Sequence, residues 1–254
     1  MRDVKVKSVR SIERVFAVLD CFSLDDRELT LQQLVAKTAL SRATLYRILH
    51  TAEKMRYISF NAETDRYRLT MKLFELGAVA VSSIYFRKEL SRFLDNLVSK
   101  TPHSILVAAI HEDQLIYLDK RESKKELKFG SDIGQVRPAD YGILGKTIMA
   151  FLPEGERLKL LGQLSKMRTP EEMNRLSQFF EKTRQRGYAI AIDETIVGVS
   201  GVAAPIYNHQ HEIVAAIGIL APSVGLTEKE IEEMSGLVSQ ASQDISLYLG
   251  HTKE

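Results

Sequence analysis

The stretch Thr30-Leu-Gln-Gln-Leu-Val-Ala-Lys-Thr-Ala-Leu-Ser-Arg-Ala-Thr-Leu-Tyr-Arg47 reads as two short helices joined by a tight turn. Thr30 and Gln33 form a capping-box pattern that starts the first helix, and Leu31, Leu34 and Val35 give it one apolar face. Thr38-Ala39-Leu40 forms the break, and Ser41 is a natural N-cap for a second helix. In that helix Leu45, Ile48 and Leu49 point inward. Arg42, Ala43, Thr44, Tyr46 and Arg47 crowd its exposed N-terminal end. A helix-turn-helix puts that end of its second helix into the DNA major groove. An αα-hairpin inside an ordinary core fits the same stretch equally well.

The next residues separate the two readings. Tyr57–Phe60 and Arg66–Arg68 are expected to pair across a turn at Asn61–Asp65. Alternation then sends Ile58, Phe60, Tyr67 and Leu69 to one face and Ser59, Arg66 and Arg68 to the other. A basic ribbon directly after the second helix is what a wing over the phosphate backbone requires. The charge distribution agrees. Residues 1–68 hold thirteen Lys and Arg against nine Asp and Glu, whereas the remainder holds twenty-two against twenty-four. The whole chain is only +2, but one end suits a polyanion.

At 254 residues the chain has room for a second domain, and 44% hydrophobic with 27% charged residues describes a folded protein. Its longest apolar run, Ile213–Ala221, falls well short of the roughly 18 residues of a membrane helix. Arg2, Lys5 and Lys7 are followed by no apolar segment of signal-peptide type, so a cytoplasmic protein with no membrane partner is expected. The single cysteine, Cys21, excludes an internal disulfide and any multi-cysteine metal site. It is expected to be a buried structural thiol.

Along the chain, Val9–Phe22 reads as the first helix of the DNA module, with Val9, Ile12, Phe16 and Leu19 on one stripe. Met71–Phe86 is apolar on several sides and suits a connecting helix that packs against its copy in a second chain. Beyond Lys88 a helix is followed by a hairpin, Ser104–Ile110 with Leu115–Arg121, and by a short strand near Leu127–Phe129. Helices are expected from Asp140 or Gly142 to Leu152, over Pro153–Leu164, and from Thr169 to Arg186 with Gly187 as its stop. A second hairpin, Val199–Tyr207 with Glu212–Ala221, precedes a helix capped by Thr227, whose stripe is Ile231, Met234, Val238, Ala241, Ile245 and Tyr248. Two hairpins interleaved with helices predict an α+β domain with an antiparallel sheet.

At these residues the chain resembles transcriptional regulators of the isocitrate-lyase-regulator (IclR) type over nearly its whole length. The resemblance is carried first by Val9-Arg10-Ser11-Ile12, Leu40-Ser41-x-x-Thr44-Leu45-Tyr46-Arg47-Ile48-Leu49, Tyr67-Arg68-Leu69 and Phe74-Glu75-Leu76-Gly77. Downstream it continues in Leu144-Gly145-Lys146, Arg186-Gly187-Tyr188-Ala189, Asp193-Glu194, Gly198-Val199 and Val202-Ala203-Ala204-Pro205. It implies a winged helix-turn-helix over residues 1–70, a linker helix over 71–87 and a GAF-like effector-binding domain over 88–254. It also implies a homodimer or homotetramer on a partly palindromic operator, a repressor of a catabolic operon, and RNA polymerase as a further contact. DNA contacts are expected from Arg10, Ser41, Arg42, Ala43, Thr44, Tyr46, Arg47, Arg66 and Arg68, and no cofactor is expected.

By the same resemblance, Ile143, Leu144, Ile192, Gly201, Gly218 and Leu220 should line the pocket for a small organic effector, and Phe129 is added to that lining. Some members hold a small keto acid with an acidic residue, a cysteine and two serines. This chain has Ile192, Gly201, Gly218 and Leu220 instead. Asp140 replaces a frequent His or Tyr, and Ala39 and Met55 replace usual turn glycines. The effector is expected to be an aromatic, sugar-derived or keto acid, and the pocket favours a more apolar ligand or one anchored elsewhere. Arg137 and the helix N-terminus near Asp140 are the candidate anchors, although an acid at that terminus opposes an anion.

Enzymatic readings find little support. Arg184-x-x-Gly187-x-Ala189 matches an acetyl-CoA loop pattern, but a helix precedes it and a strand follows, which suits a helix cap. His209 and His211 sit in a hairpin turn without an evident third metal ligand. Asp193 and Glu194 are adjacent, so their side chains diverge, and a structural or effector-proximal role suits them better than acid–base work. A bifunctional repressor-enzyme acting on an acyl or nucleotide substrate would need a glycine-rich nucleotide loop, which the fourteen glycines do not form.

Overall fold

The computed structural model describes residues 8–23, 25–82, 87–122 and 131–252. The chain divides into two compact units, Met1–Tyr85 and Phe86–Glu254.

In the first unit α1 (Arg10–Leu19), α2 (Leu31–Thr38) and α3 (Arg42–Lys54) surround a small core of Val18, Leu29, Leu34, Leu45, Leu49 and Ile58. The Thr30 capping box forms as the sequence predicts, with the Gln33 amide donating to the Thr30 hydroxyl and the Thr30 amide donating to the Gln33 side chain. Ser41 Oγ accepts from the Thr44 amide at 3.3 Å and starts α3. Only Val18 of α1 is buried. The predicted stripe of Val9, Ile12 and Phe16 lies more than half exposed on the other side.

The wing is three-stranded, not two-stranded. β1 (Glu28–Leu29), β2 (Ile58–Asn61) and β3 (Arg66–Leu69) are ordered β1-β3-β2, all antiparallel. Ser59 lies opposite Arg68 and Phe60 opposite Tyr67, which gives the expected segregation of basic and apolar faces. β1 has two residues and therefore no alternation by which a sequence could announce it. α4 (Met71–Ser82) follows, with Met71, Phe74 and Leu76 exposed.

The second unit is built on a six-stranded antiparallel sheet. Its strands are β4 (Ser104–His111), β5 (Gln114–Arg121), β6 (Val136–Pro138), β7 (Ala189–Ile192), β8 (Val199–Tyr207) and β9 (Ile213–Pro222), in the order β6-β5-β4-β9-β8-β7. The turn between β4 and β5 is two residues, Glu112 and Asp113, because His111 and Gln114 still pair. The expected strand at Leu127–Phe129 lies outside the described residues, and β6 was not anticipated.

Both faces of this sheet are covered. α5 (Arg87–Lys100) and α9 (Glu228–Tyr248) pack on Ile105, Val107, Val202, Ile217 and Ile219. On the other face α6 (Gly142–Phe151), α7 (Glu154–Leu164) and α8 (Pro170–Arg186) share a core with Leu106, Ala108, Ala203 and Ala216. The central strands are accordingly buried almost continuously, as strands covered on both sides must be. Thr169 and Thr227 cap α8 and α9 through full capping boxes, and Gly187 ends α8 at φ +80°. Tyr248, placed by its spacing on the α9 core stripe, is 51% exposed, because the helix reaches its last turn there.

Two left-handed residues explain the missing turn glycines. Ala39 follows α2 at φ +55°, whereas Met55 adopts φ −84° and passes the left-handed position to Arg56, at φ +66°. A Cβ in that region costs about 1–2 kcal/mol. Ala39→Gly should therefore raise stability by about 1 kcal/mol in a urea titration followed by tyrosine fluorescence, whereas Met55→Gly should give no gain.

Candidate nucleic-acid interface and effector cavity

The exposed face of α3 carries Arg42, Ala43, Tyr46 and Arg47, while Leu45 and Leu49 on the opposite side are fully buried. Tyr46 is 59% exposed although it is aromatic, and nothing in its own unit covers it. Thr44 is half-buried, and its hydroxyl lies 2.9 Å from that of Ser41, so these two side chains serve the helix start. Arg10 opens α1 and is exposed.

The two wing arginines differ. Arg66 is half-buried and donates from Nη1 to the Glu28 carbonyl, which ties β3 to β1 across 38 residues of sequence. Arg68 is exposed and is steadied by donating from Nε to Ser59 Oγ at 3.2 Å. Arg68 is thus the freer wing cation.

In the second unit a cavity of about 410 Å³ opens between α6 and the sheet. Its apolar walls are Ile143 and Leu144 from α6 and Ala191, Val199 and Leu220 from the sheet. Arg137 and Tyr117 line the side formed by β5 and β6. The loop from Glu194 to Gly198 and Ser200 line the side formed by β7 and β8. Burial pushes the Tyr117 hydroxyl pKa upward, and its hydrogen bond with Ser131 pulls the other way. The Arg137 guanidinium carbon sits 5.3 Å from the centre of the Tyr141 ring, a cation–π distance. Tyr141 is also the N-cap of α6 and makes no side-chain capping bond.

The structure places Arg137, Ile143, Leu144, Gly201 and Leu220 in the lining and brings Asp140, Ile192 and Gly218 elsewhere. Asp140 is buried in an ion pair with Arg168, which donates from Nε and Nη2 at 3.1 and 3.2 Å. Its charge is met from outside the cavity, which removes the conflict between an acid at the start of α6 and an anionic ligand. Ile192 ends β7 and is 54% exposed. Gly218 lies beneath Leu144, where an added Cβ would stand 3.1 Å from Leu144 Cδ2. Phe129 is outside the described residues.

Sequence reading gave Glu194 a structural or effector-proximal role but missed Tyr117, Ser131, Tyr141 and residues 195–198, whose place in the lining depends on pairing between distant strands. The loop's position is fixed at both ends. Asp193, at φ +54°, accepts from the Gly198 amide at 2.7 Å and from Ser223 Oγ at 2.6 Å. Lys146 on α6 pairs with Glu194 at 2.8 Å. Asp193 is therefore a structural residue, and Glu194 stands at the cavity wall. His211 packs edge-on against His251 with centroids 4.8 Å apart, and no group of three or more His, Cys, Asp or Glu among the described residues is placed to hold a metal. Cys21 is half-buried, and its thiol donates to the Ala17 carbonyl.

A winged helix-turn-helix joined to an α+β unit with an internal cavity is the architecture of a two-domain transcriptional regulator. Residues 11–62 match the IclR helix-turn-helix domain, and residues 78–247 match the bacterial transcriptional regulator IclR C-terminal domain. The chain belongs to the IclR family of transcriptional regulators. It is 30% identical over 247 residues to the HTH-type transcriptional regulator XynR of Escherichia coli K12, covering 96% of this chain and 98% of that one. The IclR transcriptional regulator of Alicyclobacillus acidocaldarius superposes with a TM-score of 0.81 at 20% identity, over 96% of this chain and all of that one. An IclR homolog from Microbacterium hydrocarbonoxydans complexed with 4-hydroxybenzoate superposes with a TM-score of 0.80 at 16% identity, over 93% and 99% of the two chains. Among the described residues, no helix is long and apolar enough to cross a membrane.

The cavity's shape depends on how closely α6 approaches the segment before it. A Cβ on Gly145 would collide with the Ala139 carbonyl oxygen, a backbone atom that cannot swing aside. Gly145→Ala should cost about 2 kcal/mol or more, read as a lowered thermal midpoint of the full-length protein. Gly236→Ala on α9, where nothing lies within 4 Å, should cost nothing and stabilise the helix slightly.

Proposed function

We propose that this regulator binds a partly palindromic operator as a dimer or dimer of dimers and releases or tightens on it when a small organic metabolite fills the cavity. Residues 1–70 are the DNA reader, 71–87 the connecting helix and 88–254 the effector domain. The observation that carries this reading is the coexistence in one chain of an uncovered basic helix face and a mainly apolar cavity with a few polar groups. A cavity of this size suits a small ligand. The protein acts in the cytoplasm as a repressor of a catabolic operon, and RNA polymerase is the machinery it obstructs.

Arg42, Ala43, Thr44, Tyr46 and Arg47 face the major groove in this reading, with Ser41 close to the backbone. Arg10, Arg66 and Arg68 hold phosphates, and Arg68 is the stronger candidate because Arg66 already serves Glu28. The exposed apolar residues of α4, Met71, Phe74 and Leu76, support pairing with a second copy. Two copies present two α3 helices to half-sites about 34 Å, or a multiple of that, apart. The metabolite acts only through unequal affinity for the two states of the protein.

Fluorescence anisotropy on DNA from the regulator's own upstream region tests the assignment. Arg47→Ala should lose about 1–3 kcal/mol of discrimination at one base position. Arg68→Ala should weaken all sequences alike and lower the salt slope by about one unit. A changed base preference in Arg68→Ala would mean that the wing reads bases, and an unaltered affinity in both variants would sink the interface. Sedimentation of the complex should show two or four chains per operator.

A further inference from the structure

The outward face of α3 continues past Arg47. Ala43, Tyr46, Arg47 and His50 recur at i, i+3, i+4 and i+7, and all four are exposed. Leu45, Leu49 and Ala52 lie on the opposite side and are buried. Seven residues fall about 20° short of two full helical turns, so His50 stands nearly in line with Ala43 and between Tyr46 and Arg47 around the axis. His50 is therefore on the midline of the stripe, not at its margin.

The other polar side chains of the same turns are engaged inside the unit. Thr51 donates to the Arg47 carbonyl at 2.8 Å, and the Glu53 carboxylate accepts from the Phe60 amide at 3.3 Å. The Thr44 hydroxyl lies 2.9 Å from that of Ser41 and serves the helix start. The His50 imidazole has no hydrogen bond or ion pair among the described residues. Lys54, in the last turn, ends the stripe with a long flexible cation suited to phosphate.

A major groove about 12 Å wide admits one helix, with the midline of the inserted face over the base edges and its margins toward the phosphate walls. On that midline an imidazole on its short stem reaches the floor and falls short of the walls. It carries an N–H donor whether neutral or charged. Guanine presents two acceptors, N7 and O6, on its major-groove edge, whereas adenine sets an amino donor beside its N7. From this placement we infer that His50 is a further base-reading residue of α3 and that it selects a guanine. A rise of about 1.5 Å per residue puts that guanine about one or two base pairs from the base read by Arg47, and about three from the pair beneath Ala43. The assignment rests on the major-groove reading above and extends it by a turn of helix.

The test uses the full-length protein and a pool of random duplexes of about 40 base pairs, long enough for two half-sites. Bound sequences are selected and read for the wild type and for Arg47→Ala, His50→Ala and His50→Gln. The wild type should enrich a half-site in which His50→Ala relaxes one guanine, about one or two base pairs from the position relaxed by Arg47→Ala. In anisotropy on the selected duplex, replacing that guanine should weaken the wild type about tenfold and His50→Ala less than about twofold. Binding of His50→Ala to random-sequence DNA, and its salt slope, should match the wild type. His50→Gln should move the preference at that position from guanine to adenine, because an amide pairs with adenine N6 and N7. A loss shared by all sequences with a lower salt slope would make His50 a phosphate contact and overturn the inference. So would an unchanged base preference in His50→Ala, or a base other than guanine at the relaxed position. If Arg47→Ala still relaxes a position in those cases, the major-groove reading stands and only the His50 assignment falls. If neither variant alters any base preference, or no sequence is enriched, both fall.

Discussion

The second unit depends on a division of labour between the two faces of one sheet. Toward α5 and α9 the central strands present Ile105, Val107, Val202, Ile217 and Ile219, which fill a thick interface. Toward α6 the same strands present Ala108, Ala203, Ala216 and the bare backbone of Gly218. Small residues on that face let α6 sit low on the sheet, and Gly145 lets it pass close under Ala139. Because α6 is held so near β8 and β9, Leu144 closes over Gly218. The open volume is displaced toward β5, β6 and the Glu194 loop. The close approach at Leu144 and Gly145 and the cavity beside residues 142–144 share the first turn of α6 and are two results of the same packing choice.

The electrostatics follow the same geometry. Carboxylates at the edge of a low-dielectric space must be paired or lose their charge. Asp140 and Glu194 are each met by a cation from a neighbouring helix or from the segment leading into one, Arg168 just before α8 and Lys146 on α6. Lys146 also lies 5.2 Å from the centre of the Phe179 ring on α8, so the pair that steadies the loop also joins two helices. The two cations that neutralise these carboxylates do not themselves line the cavity.

Much of this was legible in the sequence where the signal is local. Thr30 with Gln33, and Thr169 and Thr227 as N-caps, each announce a helix start, and Gly187 announces a stop. All four act as read. The two long hairpins were legible because four adjoining apolar runs leave few pairings. The features that escaped are those fixed by partners far away in sequence. β1 exists because β3 passes beside it, β6 because β5 has a free edge, and the Asp140–Arg168 pair joins positions 28 residues apart. The pocket positions carried over from family resemblance divided along the same line. Ile143, Leu144, Gly201 and Leu220 line the space, whereas Gly218 is covered by Leu144 and Ile192, at the end of β7, lies exposed.

Among the described residues, the two borders of the large sheet are its shortest strands, β6 with three residues and β7 with four. β6 ends in Pro138, which has no amide hydrogen to offer, and β7 runs out into the bolted loop at Asp193. A row of free backbone donors and acceptors is an invitation for another chain to add a strand. Here each border is too brief to template one. Neighbouring copies are thus given little backbone through which to join these sheets edge to edge, which holds aggregation by strand addition in check.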